Sequence, residues 1–164
     1  MKLGQRNLNR RAFLGSMAAL GAAVSFVRSG ISAASYQART KAIPSTGERI
    51  PVIGMGSWIT FSVGDDQQAR NVRVEVLRAF FEAGGGVIDS SPMYGSSEEV
   101  IGYCLKRLGK RPSLFSATKV WTPIRWHGVK QMEISEQLWG DDRFDLMQIH
   151  NLLAWEDHLE TLLE

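Results

Sequence analysis

Four side chains have the types and positions that suit proton donation to a developing alkoxide: Asp89, Tyr94, Lys119 and His150. Asp89 closes the short apolar run Val87-Ile88, and Tyr94 follows in the loop Ser90-Ser91-Pro92-Met93-Tyr94-Gly95. Lys119 lies near the end of Ser113-Leu114-Phe115-Ser116-Ala117-Thr118-Lys119-Val120, and His150 ends Asp145-Leu146-Met147-Gln148-Ile149. A phenol with a pKa near 10 is a poor acid at neutral pH. An ammonium beside it stabilises the phenolate and brings that value down. A carboxylate next to the ammonium holds it in place, and an imidazole can hydrogen-bond a substrate carbonyl and orient it. Singly, each residue is weakly informative, since a lone strand lysine is commonly a surface residue and Asp89 alone would suit a helix cap. Their shared placement at the ends of successive strands carries the reading, because in a parallel sheet those ends converge on one face.

The elements that must position them follow from periodicity. Ser96 and Glu99 have the spacing of a capping box, in which hydroxyl and carboxylate each satisfy an unpaired backbone donor. Behind that cap, Val100, Ile101, Cys104, Leu105 and Leu108 fall on one face of a helix over 97–108. Upstream, Lys41-Ala42-Ile43 and Ile50-Pro51-Val52-Ile53 flank a turn-rich connection and predict a hairpin leading into a core strand over 52–55. A helix over 65–83 follows, its apolar face Val72, Val76, Leu77, Phe80 and Phe81, stopped by Gly84-Gly85-Gly86. Strands are predicted over 87–89, 113–120 and 145–150, with a third helix over 128–138. Leu152, Trp155, Leu159, Leu162 and Leu163 predict the face of a fourth helix. Strand and helix alternate four times at roughly 30-residue intervals, the pattern of a parallel sheet with crossover helices. Cys104, the sole cysteine, excludes an internal disulfide and reads as a small core residue. Trp121, Trp126 and His127 either wall one side of a pocket or pack a surface loop.

Charge is unevenly distributed. The formal net charge is +2, but residues 1–34 hold Lys2, Arg6, Arg10, Arg11 and Arg28 and no acidic residue. Setting those five aside leaves 14 basic against 17 acidic side chains, a net of −3 over 35–164. A nucleic-acid partner is therefore not expected. The first segment has a basic region ending Arg10-Arg11-Ala12-Phe13-Leu14, an apolar run over 17–27, then Arg28 and Ser32-Ala33-Ala34. That is the layout of a secretory signal peptide, and the paired arginines before Phe-Leu resemble the twin-arginine export signal. The run is about 11 residues against the roughly 20 that span a bilayer, so no stable membrane span is expected. The expectations are an export signal over 1–34 cleaved after Ala34, a partner in the twin-arginine machinery, a periplasmic location, and one domain over 35–164.

Asp89-Ser90-Ser91-Pro92-Met93-Tyr94-Gly95-Ser96-Ser97-Glu98 resembles the aldo/keto reductase signature, Asp-x-Ala-x-x-Tyr-Gly followed by a small and an acidic residue. Ser91 stands where that signature more often has alanine. Ala117-Thr118-Lys119-Val120 is similar to the family's lysine strand, Gln148-Ile149-His150 to its histidine strand, and Ile50 through Trp58 to its first strand and cofactor-contacting turn. The resemblance implies a (β/α)8 TIM barrel preceded by an N-terminal hairpin, and reversible reduction of aldehydes or ketones. It implies NADPH in preference to NADH, a small-molecule carbonyl substrate, and no metal. Tyr94 would be the general acid, Lys119 and Asp89 would tune it, and His150 would orient the carbonyl. Gly56, Ser57, Trp58 and Asp89 would lie at the cofactor. No Gly-x-Gly-x-x-Gly follows a strand, in keeping with a non-Rossmann cofactor site.

A full barrel takes eight strands and about 250 residues, whereas residues 35–164 offer four strand–helix units. The reading is thus the first half of such a barrel, as a fragment or as a natural half-barrel that assembles with a partner. In either case, open sheet edges and half a cofactor site predict no turnover and self-association for residues 35–164 alone. The competing function class is a non-catalytic binding or regulatory protein on the same fold. Against it stands the complete set of four, since a binder has no use for a tuned phenol.

Overall fold

The computed structural model describes residues 38–109 and 113–163. The expected signal over 1–34 lies outside them. An antiparallel hairpin comes first, β1 (Thr40–Ala42) against β2 (Arg49–Pro51), with Lys41 opposite Ile50. The chain then alternates: β3 (Met55–Gly56), α1 (Gln67–Glu82), β4 (Val87–Asp89), α2 (Ser97–Leu108), β5 (Phe115–Val120), α3 (Arg125–Trp139), β6 (Leu146–Ile149), a 3-10 turn (His150–Leu152) and α4 (Trp155–Leu163). The strands β3-β4-β5-β6 form one parallel sheet in sequence order. This agrees with the expected parallel half of a barrel. The first core strand is shorter and later than the predicted 52–55, because Val52 stays with the hairpin, its N–H donating to Arg39 O at 3.0 Å.

Successive strand residues point to opposite faces. Ile88, Ser116, Thr118 and Val120 are buried beneath the helices, and Leu77, Ile88, Val100, Ile101 and Cys104 are fully enclosed there. Each such aliphatic side chain is worth about 2 kcal/mol once taken from water. The other face carries Asp89, Lys119 and Gln148, with Lys119 directly opposite Gln148 in the β5–β6 register. Gly102 marks the closest helix approach: a Cβ there would lie 1.8 Å from the Leu138 carbonyl oxygen of α3.

Two expected helix faces are rotated. On α1 the buried residues are Val74 and Leu77, while Val72 and Val76 are half exposed. Arg70 and Arg73 occupy the inward side, where Arg70 reaches Gly64 O (2.6 Å) and Arg73 reaches Thr60 O (2.8 Å). Their long stems displace the valines. On α4 the buried residues are His158 and Thr161, and Leu159 and Leu163 stay exposed. His158 turns inward because its Nε2 meets the Thr122 carbonyl at 2.6 Å.

The capping box does not form. Ser96 is the N-cap of α2, but its Oγ accepts from the Gly64 N–H at 2.8 Å, and Glu99 pairs with Arg70 at 2.6 Å. A guanidinium is a stronger partner for a carboxylate than a backbone N–H. The two residues therefore tie the start of α2 to the loop before α1. Asp66 does cap α1, accepting from the Ala69 N–H at 2.9 Å.

Candidate active site

Asp89 sits at the end of β4, where its backbone carbonyl accepts from the Ser57 N–H (3.0 Å) and the next residue's N–H donates to Ala117 O (2.9 Å). Lys119 extends from β5 between them. Its ammonium lies 2.7 and 2.6 Å from the two Asp89 oxygens and 2.8 Å from Ser90 O. From β6, Gln148 Nε2 donates to Asp89 Oδ1 at 2.9 Å. Three adjacent strands thus converge on one carboxylate.

Tyr94 lies in the turn after β4, closed by its N–H donating to Ser91 O at 2.9 Å. Gly95 follows with φ +60°, a backbone conformation that strains any side chain, and a Cβ there would make Ser62 Oγ, 2.5 Å away, rotate aside. The Lys119 ammonium stands 5.6 Å from the Tyr94 ring centre. The His150 ring meets the Tyr94 ring edge-on, centroids 5.6 Å apart at 80°, and Trp58 lies 6.4 Å away on another side. Asp89, Tyr94, Lys119 and His150 are therefore brought together, as their strand-end positions predict.

The electrostatics depart from the sequence expectation in one respect. Tyr94 is held above the ordinary phenol value, by burial first and then by the Asp89 charge. The ammonium was expected to lower it, but here it is bonded to Asp89 and Ser90 instead. His150 is pulled below the usual imidazole value, by burial and by the Lys119 charge, with Asp89 opposing. At neutral pH the pair is a protonated phenol beside a neutral imidazole.

The residues expected at the cofactor divide. Gly56 pairs with Asp89 across the β3–β4 ladder, and the space where its Cβ would stand is open. Trp58 is 61% exposed beside Tyr94. Ser57 is fully buried, its hydroxyl donating to Ser90 Oγ (2.8 Å) and its carbonyl accepting from Ser97 Oγ (3.2 Å), so it props the floor. Trp121 is 42% and Trp126 70% exposed, the latter stacked on His127 at 5.2 Å.

Sequence reasoning named Gln148, Ser91 and Glu98 within motifs but gave them no role. Gln148 is two residues before His150, so strand alternation alone puts it on the face of a strand-end site. Glu98 is buried (2% exposed), accepting from Thr118 Oγ1 (2.6 Å), Ser135 Oγ (2.9 Å) and Trp139 Nε1 (3.3 Å). Burial holds its carboxyl above the ordinary value despite those three donors and the more distant Lys119. Among the described residues no helix is long and apolar enough to cross a membrane.

A parallel sheet with helices on one face and ionisable groups at the strand ends is the architecture of a (β/α)8 barrel, represented here by four of its units. Residues 52–164 match the aldo/keto reductase family, and the chain belongs to it. It is 32% identical to the aldo-keto reductase YhdN of Bacillus subtilis, across 74% of this chain and 39% of that protein. It is 31% identical to the methylglyoxal reductase YeaE of Escherichia coli, across 62% of this chain and 35% of that protein. The crystal structure of an aldo-keto reductase from Klebsiella pneumoniae in complex with NADPH superposes with a TM-score of 0.58 at 24% identity, covering 76% of this chain and 46% of that one. The chain spans about two-fifths or less of the length of these curated relatives and under half of that barrel.

Proposed function

We propose that this chain carries the proton-handling half of an NAD(P)H-dependent reductase of aldehyde and ketone carbonyls, with NADPH the preferred cofactor. The observation that carries the reading is Lys119 clamped by both Asp89 oxygens while its charge stands 5.6 Å from the Tyr94 ring. When bound, a reduced nicotinamide supplies the hydride. Gly56, Trp58 and Asp89, with Ser57 beneath them, are the residues that would hold it. The substrate carbonyl oxygen sits between Tyr94 and His150, and His150 orients it by a hydrogen bond. As charge develops on that oxygen, the Tyr94 hydroxyl gives up its proton. The Lys119 ammonium, 5.6 Å from the ring, is placed to offset part of the phenolate charge once it forms, although it leaves the resting phenol above its ordinary value.

Further βα units complete the barrel in the working enzyme. The reading is supported by the chain's share of the barrels it resembles. The test is aldehyde-dependent oxidation of NADPH by the chain complemented with the C-terminal half of a relative's barrel. Turnover that depends on both halves, and that falls by about a thousandfold in Tyr94→Phe, is the expected result. Undiminished turnover in that variant would remove Tyr94 from the role of acid.

The leader over 1–34 directs the folded protein to the periplasm by the twin-arginine route, a reading that rests on Arg10-Arg11 before Phe13-Leu14. Replacing both arginines by lysine should leave the protein in the cytoplasmic fraction. Periplasmic yield unchanged by that replacement would refute it.

A further inference from the structure

We propose that Ser91 fixes the tautomer of His150, so that the imidazole presents Nε2–H to the carbonyl site and keeps its bare nitrogen turned inward. Ser91 Oγ lies 2.8 Å from His150 Nδ1, with Ser91 fully buried and His150 8% exposed. The same oxygen accepts from the Met93 N–H at 3.2 Å, within the turn that carries Tyr94.

The hydroxyl inventory then decides the direction of the bond. A serine hydroxyl has one proton to give and two lone pairs, and a neutral imidazole has one N–H and one bare nitrogen. One Oγ lone pair is already taken by Met93. If Nδ1–H donated to the other, the serine proton would be enclosed away from water, and among the described residues no other acceptor is recorded for it. An unmade bond by a buried donor costs more than a made one returns. With the roles reversed, the serine proton goes to Nδ1, Oγ accepts from Met93, and both recorded contacts are made without an enclosed unpaired donor. The proton of the imidazole must then sit on Nε2. The direction of the His150 titration agrees, since burial and Lys119 favour the neutral ring in which a tautomer has to be chosen.

The catalytic consequence rests on the carbonyl-reductase reading; the tautomer does not. A neutral ring with Nε2–H donates to a carbonyl oxygen and adds to the polarisation that Tyr94 begins. The other tautomer would set a lone pair against that oxygen. Ser91 is a positioning residue that acts through His150. The alanine more usual at this point of the signature has no hydroxyl with which to do it.

The test is a long-range proton–nitrogen correlation spectrum of the full chain labelled with [15N]histidine, at about pH 8, above the ordinary imidazole value. His150→Gln assigns the His150 signals. The expected result is a pyrrole-type Nε2 and a pyridine-type Nδ1 in the parent chain. The same pattern should persist in Ser91→Thr, while in Ser91→Ala both nitrogens shift toward the averaged position of mixed tautomers. His158, buried elsewhere, should not move. A parent spectrum with the proton on Nδ1, or a Ser91→Ala spectrum identical to the parent, would overturn the proposal. Neither substrate nor cofactor is needed, so an inactive protein leaves this result readable, and a failed tautomer leaves the carbonyl-reductase reading standing.

Discussion

Asp89 and Glu98 lie nine residues apart across one strand-to-helix loop, and their oxygens meet different partners. Asp89 is met by an ammonium and an amide at the open end of the sheet, with its side chain 37% exposed. Glu98 is met by two hydroxyls and an indole N–H between α2, β5 and α3, with no cation bonded to it among the described residues. Thr118 and Lys119, consecutive on β5, serve one carboxylate each on opposite faces of the sheet. The difference separates two uses of the same chemical group. A carboxylate with a cation at an open strand end is placed, in the proposed reaction, to manage a charge that changes. A carboxylate enclosed by neutral donors ties three elements together and is pushed toward its neutral form.

The largest effect should fall on the enclosed carboxylate. Glu98→Ala removes the acceptor for three buried donors and leaves a void, and it should cost about 3 kcal/mol in urea unfolding. Asp89→Ala should cost less, about 1 kcal/mol, because the Asp89 side chain is 37% exposed and Lys119, though only 14% exposed, keeps Ser90 O as a partner. It should nonetheless abolish turnover in the complemented barrel. Similar losses of stability in the two variants would erase the distinction.

Titration sharpens the contrast on a smaller scale. Glu98 holds its proton more tightly folded than unfolded, so its contribution is fully present below the ordinary carboxylate value. It is lost as pH rises through the raised one, by at most about 1.4 kcal/mol per pH unit. His150 behaves in reverse. Its folded value is lowered, so its contribution is present above about 6.5 and is lost as pH falls through the folded value. Urea midpoints measured against pH should diverge from the parent above pH 4.5 in Glu98→Gln and below about pH 6.5 in His150→Gln. Parallel curves would mean that these groups do not set the slopes.

The smallest effect is a rate. The Cys104 thiol, fully buried on α2, is pushed up to about 11 by burial. Alkylation at neutral pH should therefore be slow in the native chain and quicken in Glu98→Ala as α2 loosens. Equal labelling rates would show that Glu98 does not hold that helix down.

The order of strands and helices was legible because apolar runs ended by Gly or by polar loops are local signals, as at Gly84 and at Asp89. The convergence of Asp89, Lys119 and His150 was legible because each lies at or next to a strand end, with Tyr94 in the turn after the first, and strand ends share a face. What was not legible depends on register and on side-chain reach. Gln148 meets Asp89 only because Lys119 stands opposite it in the β5–β6 ladder, a pairing that neither strand states by itself. The rotated face of α1 follows from Arg70 and Arg73 finding carbonyls in the preceding loop, which periodicity counts as solvent-facing residues. The capping box failed for the same reason: its spacing was right, but stronger partners stood nearby in three dimensions.

The ladder that joins β4, β5 and β6 has a consequence for how such a site can be inherited. Asp89, Lys119, Gln148 and His150 are spaced by hydrogen bonds between neighbouring strands, and Tyr94 by a turn directly attached to the first of them. Their mutual distances are set within one contiguous stretch of about sixty residues. A genetic crossover downstream of that stretch would carry Asp89, Tyr94, Lys119 and His150 as one pre-spaced unit, whatever sequence is joined after it.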